Sequence, residues 1–341
     1  MQSTAMRILA NAPDPQGLIY SAIVAAVVVI AGFFAGAFRP RKTPLPPRID
    51  PSEPPEIIWM IILLAFATSC IVPVTLSALA LGVTRWSAPI PAAAPATTLS
   101  TTAPSTAATT KAATSSPAAA TPGDLQLPPT LTVGILLASN LFLGYVLVGV
   151  NLSFRPGGLR RMGFAISMLP SAIVPSILAA LIVLPLTFFV TQVTEWLLDL
   201  LGMEHPTEHM LLRIFGAKDA LLLHVLIIVS AVIIAPVVEE FLYRGHLQTA
   251  LRALLGRAFA GTSQEPLKPR VDRAHRWLAI FVTSIVFALA HLEPWMMLPI
   301  FFLSLCLGYV YERTGNLWFS ILLHLIFNAA NVTLFVLQRP A

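Results

Sequence analysis

The chain has 341 residues, of which 56 % are apolar and 11 % charged, under half the roughly 25 % charged share of soluble domains. With a mean hydropathy of +0.79, it has too little polar surface for an ordinary soluble domain and too much apolar surface for a disordered chain. The 21 Lys+Arg against 16 Asp+Glu give a net charge of +5, and on so apolar a chain that excess marks cytoplasmic loops rather than a nucleic-acid partner. What remains is an all-α, polytopic membrane helix bundle.

A spanning helix needs about 20 mostly apolar residues. Leu18–Phe38 is the first such segment, and its polar lead holds Arg7 as the single basic residue, with no small-residue cleavage site. It therefore reads as a retained helix rather than a signal peptide. A stiff Pro-rich connector, Pro44–Pro55, leads to the second span, Ile57–Val83. Residues 86–130 are rich in Ala, Pro, Thr and Ser with one lysine, Lys111, a composition that cannot bury a core and reads as a disordered linker. Leu131–Asn151 and Met168–Leu198 are the third and fourth spans. Pro170, Pro175 and Pro185 punctuate the fourth, and prolines in membrane helices kink them without ending them. A fifth span runs from about Ala220 past Val238, and Trp277–His291 and Trp295–Tyr311 form a hairpin around a sharp break at His291–Pro294. Leu317–Leu337 closes a set of about eight transmembrane helices. The expected division is a two-helix membrane part over 1–85, the linker over 86–130, two flanking helices over 131–215 and a chemistry-bearing membrane domain over 216–337.

Charge orients the set. With the N-terminus outside, the inner loops 39–56, 152–167, 252–276 and 312–316 hold 14 Lys/Arg, and the outer segments hold 6. That bias places both termini outside, in a multi-pass protein of a bacterial plasma membrane. Trp59, Trp277, Trp295 and Trp318 fall near span ends, as an interfacial belt requires. The basic loop 252–276 suits anionic membrane lipids, and no nucleic acid is expected as a partner. Cys70 and Cys306 sit in apolar runs without a CxxC or zinc spacing.

Ionisable residues inside a span cost at least ~2.5 kcal/mol each at the helix centre, so each calls for a reason. Three clusters stand out in the last third of the chain. In Pro236-Val-Val-Glu239-Glu240-Phe-Leu-Tyr-Arg244, Glu240 and Arg244 are four apart and share a helix face. Glu239 points about 100° away at ~3.6 residues per turn, and a carboxylate left without a cation is available as a general base. A charged helix end at the water interface is the simpler alternative. Phe287-Ala-Leu-Ala-His291 ends a short apolar helix, where a lone histidine is also at home as a core or interface residue. His324 and Asn328 share a face of the last span, where a His-Asn pair also serves to bridge two helices. Together, one free carboxylate, two imidazoles and an amide on three helices make a hydrolytic set. Glu239 with His291 would hold and deprotonate a water, and His324 with Asn328 would donate to the oxyanion of a tetrahedral intermediate. No serine or cysteine is placed as a nucleophile. Glu239, His291 and His324 are also a ligand set for one divalent metal, zinc above all, whose catalytic sites use three protein ligands and a water.

The ordered trio EExxxR (Glu239, Glu240, Arg244), FxxxH (Phe287, His291) and HxxxN (His324, Asn328) resembles the CAAX protease and bacteriocin-processing family, which includes the type II CAAX prenyl endopeptidases. The resemblance covers about residues 215–335. It implies an intramembrane endopeptidase in which Glu239 and His291 activate water, and His324 and Asn328 stabilise the oxyanion. Glu240, Arg244 and Phe287 would shape the site or contact substrate. It leaves open a metal-dependent or a glutamate-dependent mechanism, and its implied partner is a membrane-associated peptide or protein substrate, prenylated or not. Two readings compete: a non-catalytic scaffold or bacteriocin self-immunity protein, and a proton-coupled small-solute transporter using Glu239 and the histidines as a relay. The transporter lacks paired, interrupted helices repeated between halves.

Geometry sets a condition on this site. At ~1.5 Å per residue, Trp277 to His291 covers about 21 Å, too deep to meet Glu239 and His324 with ease. The site assembles if the fifth helix runs on past Arg244 toward Leu255, or if the sixth begins before Trp277. His205-Pro-Thr-Glu208-His209 spells HxxEH, but Pro206 belongs in a first helical turn, so it reads as a solvated loop. Gly32 and Gly36 form a GxxxG packing signal of low specificity.

Overall fold

The computed structural model describes residues 20–28, 55–87, 127–203, 221–260, 269–291 and 293–337. No strand occurs among them, and seven helices are long and apolar enough to cross a membrane. Of the first expected span, 20–28 is helical. Its remainder, the Gly32/Gly36 pair, the linker over 88–126 and His205–His209 lie outside the described residues.

The long helices are α1 (Pro55–Ser87), α2 (Pro129–Phe154) and α3 (Leu169–Leu200), then a composite α4, and finally α5 (Pro269–Ala290), α6 (Met297–Thr314) and α7 (Leu317–Leu337). Each is a run of Leu, Ile, Val, Phe and Ala whose backbone groups are satisfied within the helix, as hydrocarbon demands. Pro175 and Pro185 lie inside α3, which continues through both. Helix α4 is unbroken over 221–260 but changes pitch. Leu221–Ile228, Ala235–Glu240 and Thr249–Ala260 are α-helical, and Val229–Ile234 and Phe241–Gln248 are wound as π-helix. Hydrophobic periodicity could not reveal the first of these wider segments, because Val229–Ile234 is apolar nearly all round.

Both conditions for assembling the site are met. Helix α4 carries Glu239 to mid-rod by continuing to Ala260, and α5 begins at Pro269 rather than Trp277. The ends of α4, α5 and α6 meet in an ion-pair network: Arg252 contacts Asp272 at 3.8 Å and also Glu312, and Arg276 contacts Asp272 at 3.2 Å. The α6–α7 turn lies at the same end. Gly315, at φ 64°, closes α6 by donating its N–H to the Tyr311 carbonyl at 2.8 Å. Asn316 then caps α7, its Oδ1 accepting the Trp318 N–H at 3.1 Å.

The segment between α2 and α3 is fastened onto that turn. Tyr311 Oη donates to the Met162 carbonyl at 3.2 Å, Trp318 Nε1 to Ala165 at 3.0 Å, and Asn316 Nδ2 to Met168 at 3.0 Å. Gly163, at φ 78°, lies so close to Gly315 and Asn316 that a Cβ there would meet their backbone. Phe164 stacks between Trp318 and Phe241, with ring centroids 4.9 and 5.2 Å away. The largest buried cluster surrounds the middle of α4. It joins Phe241, Leu242 and Leu247 to Ile61 of α1, Leu147 of α2 and Ile321 of α7.

Candidate active site

All three motifs converge on α4, and the ring of Phe287 stands at their meeting point. Its centroid lies 4.8 Å from the His291 ring, 6.0 Å from His324 and 4.8 Å from Tyr243. The Arg244 guanidinium sits over the same ring at 4.7 Å, a cation–π contact in a desolvated setting. Tyr243 in turn meets Phe66 of α1 edge-on at 5.9 Å.

Glu240 and Arg244 form the ion pair that their spacing implies, at 2.8 Å, and both side chains are wholly excluded from solvent. Arg244 Nη2 also donates to Ser304 Oγ at 2.8 Å and to the Ser304 carbonyl at 3.1 Å. A guanidinium that binds a carboxylate, a hydroxyl and a carbonyl at once has its buried charge shared among three acceptors. Ser304 was not foreseen as part of the site. Its only sequence signal is a hydroxyl in the middle of an otherwise apolar run.

Glu239 stands apart from that pair, as its helical angle requires, and its side chain is 26 % exposed. Its ion-pair contact among the described residues is His324 Nε2, 3.9 Å from Oε2. The other nitrogen of His324, Nδ1, lies 3.0 Å from Glu240 Oε1 and donates to it. One imidazole therefore spans the two consecutive carboxylates, ring orientation fixed by Glu240 and Nε2 presented to Glu239. The carboxylate oxygen and Nε2 are too far apart to bond to each other, and close enough for one water molecule to bond to both.

His291 is half-buried just past the end of α5. Its Nδ1–H donates to the Phe287 carbonyl at 2.8 Å, which leaves Nε2 as its free ring nitrogen. Asn328 Nδ2 donates to the Ala231 carbonyl in the first π-wound segment of α4, at 2.8 Å. Among the described residues, no three His, Cys, Asp or Glu side chains are gathered so as to hold a metal ion. Glu239, His291 and His324 therefore do not form a ready-made cage.

A second buried polar chain, beneath the first, was not foreseen. His246 donates from Nδ1 to the Phe241 carbonyl, five residues back, at 2.7 Å. Its Nε2 then accepts from Asn151 Nδ2 of α2 at 2.7 Å, and the same amide nitrogen donates to Leu147. Thr249 Oγ1 bonds the Arg244 carbonyl, again five residues back, at 3.0 Å. These side chains occupy carbonyls of the π-wound segment that holds Arg244, and π-turns within α-helices are frequent at functional sites.

The fold and these contacts define a multi-pass membrane protein with a polar site sealed among its spans. Residues 221–330 match the family described as type II CAAX prenyl endopeptidase Rce1-like. That segment, which contains every residue of the three motifs, is similar to the family that the motifs resemble. No curated relative and no solved structure matches the chain.

Proposed function

We propose that the protein is an intramembrane endopeptidase of the CAAX-protease kind, hydrolysing a peptide bond at or near the membrane. The observation that supports this best is the opposition of Glu239 Oε2 and His324 Nε2 at 3.9 Å, with Glu240 steadying the ring from behind. A water that donates one O–H to Glu239 and the other to Nε2 has its lone pair turned toward a scissile carbonyl. Glu239 takes a proton as the oxygen attacks, and the C–N bond breaks as that proton passes to the leaving amine. The products are a carboxylate and an amine, with water consumed. His291, its ring beside Phe287 and its Nε2 not engaged by the Phe287 carbonyl, is the further imidazole available to the reaction. Removal of a general base of this kind typically costs about 10²–10⁴ in rate.

The membrane supplies the context: the substrate is membrane-associated, and the basic loops lie on the cytoplasmic side. The test is cleavage of a panel of C-terminal peptides, prenylated and unprenylated, by protein reconstituted in liposomes. Wild type cleaves, and Glu239→Gln and His324→Ala do not, although both fold. Activity persists after chelation, in protein shown by elemental analysis to hold no divalent metal. Cleavage by the Glu239→Gln variant at the wild-type rate overturns the assignment, and loss of activity on chelation overturns the metal-free mechanism.

A further inference from the structure

We propose that Asn328 is a positioning residue: it supplies the hydrogen-bond donor that Pro236 lacks, and so holds the π-wound turn of α4 that leads into Glu239. The inference rests on the hydrolytic reading of the site, but it is carried by the backbone of α4. Across the π-wound segment Val229–Ile234, Ala235 donates its N–H to Ser230, five residues back. In that register the next donor, residue 236, would serve the carbonyl of Ala231. Residue 236 is a proline, which has no N–H. The N–H of Ala235 is already given to Ser230, so the helix itself leaves the Ala231 carbonyl without a partner. In an apolar span water cannot make up the loss. Asn328 Nδ2 makes it up, at 2.8 Å.

The placement of this bond gives it a consequence for chemistry. Asn328 is one turn beyond His324 on α7, and Ala231 is about two turns before Glu239 on α4. The amide therefore holds the pitch of α4 on the run that carries Glu239 to its 3.9 Å approach to His324. A residue that stabilised an oxyanion would act on substrate whatever stood at position 236. A brace depends on what stands there.

The test is a double-mutant cycle of Asn328→Ala and Pro236→Ala, read in two ways: peptide cleavage, and the thermal midpoint of the detergent-solubilised protein. Alanine at 236 restores a backbone N–H that can reach the Ala231 carbonyl. Asn328→Ala is expected to lower the midpoint and to reduce kcat by about 10²-fold, the usual cost of misplacing reacting groups by near 1 Å. Pro236→Ala alone stays near wild type. The double variant recovers kcat to within about threefold of Pro236→Ala and returns the midpoint to that of Pro236→Ala, the coupling that contact through one backbone group produces. If Asn328→Ala yields no folded protein, recovery of folded protein in the double variant is the same result. Recovery of the midpoint without recovery of kcat overturns the proposal in favour of direct action on the oxyanion. A midpoint unmoved by Asn328→Ala overturns it outright. If wild type cleaves no peptide, the hydrolytic reading fails, and the midpoints alone decide whether Asn328 stands in for the donor that Pro236 lacks.

Discussion

Replacing Arg244 with methionine keeps a long unbranched side chain and deletes its charge. In the folded protein the guanidinium donates to Glu240 at 2.8 Å and to Ser304 Oγ and carbonyl at 2.8 and 3.1 Å. Neither Arg244 nor Glu240 touches solvent, so the substitution strands a buried carboxylate. Breaking such a pair from one side costs about 3–5 kcal/mol, most of it the penalty on the charge left behind. Glu240 retains its bond from His324 Nδ1 at 3.0 Å, which puts the expected loss at the lower end. About 3 kcal/mol is roughly a 10²-fold shift in the unfolding equilibrium. Adding Glu240→Gln removes the stranded charge, so the double variant should recover most of the lost stability. Unfolding in mixed micelles, followed by helicity against denaturing detergent, measures all three proteins. Cleavage stays absent in the double variant, because His324 has lost the carboxylate that orients it. An Arg244→Met variant as stable as wild type, or a double variant less stable than the single, refutes the reasoning.

Three further expectations concern the frame around the site. Gly157 and Gly163 both have positive φ, at 73° and 78°, but only Gly163 is pressed against the α6–α7 turn. Gly157→Ala should cost about 1–2 kcal/mol of backbone strain, and Gly163→Ala should prevent accumulation of folded protein; equal stabilities would contradict the packing described. Arg252→Ala removes the Arg252 contact from the buried Glu312, for an expected loss of about 1–3 kcal/mol. Glu312→Gln in the same protein should return part of it, as denaturation midpoints will show. Cysteines introduced singly at the exposed Arg160 and Arg273, with the native cysteines replaced, test orientation. A membrane-impermeant maleimide should label both in inverted vesicles and neither in intact cells; labelling in intact cells reverses the topology.

The membrane character, the order of the spans and the convergence of the three motifs were legible because hydrocarbon penalises every polar atom it surrounds. Against that background Glu239, Glu240, Arg244, His291 and His324 could not be missed. The 100° offset between successive helix positions even separates the glutamate that pairs with Arg244 from Glu239, which meets His324 Nε2 instead. The partners were less legible. Water activation was expected from Glu239 with His291, and the sequence did not point to the contact that Glu239 makes with His324 Nε2. That follows from Glu240, whose grip on Nδ1 turns Nε2 outward, and a motif spacing contains no information about ring orientation. The π-wound turns were hidden for a related reason. They show in an amphipathic helix as a slip in the apolar stripe, and the Val229–Ile234 turn of α4 has no polar face to slip. Ser304 and the His246–Asn151 contact join residues 60 and 95 positions apart, and each looks ordinary within its own segment.

The fastening of the 162–168 segment onto the α6–α7 turn means that the border of the chemistry and the border of the folding unit differ. Every motif residue lies within 221–330, yet Tyr311, Asn316 and Trp318 direct their side-chain donors to carbonyls of Met162, Met168 and Ala165. Ser176 of α3 likewise donates to the Phe319 carbonyl at 3.1 Å. A polypeptide starting at Leu221 would keep every reactive atom, but its last turn would have lost the surface it is cast against. What the three motifs delimit is a mechanism; the smallest piece of chain able to stand upright in a membrane and hold that mechanism together begins far upstream.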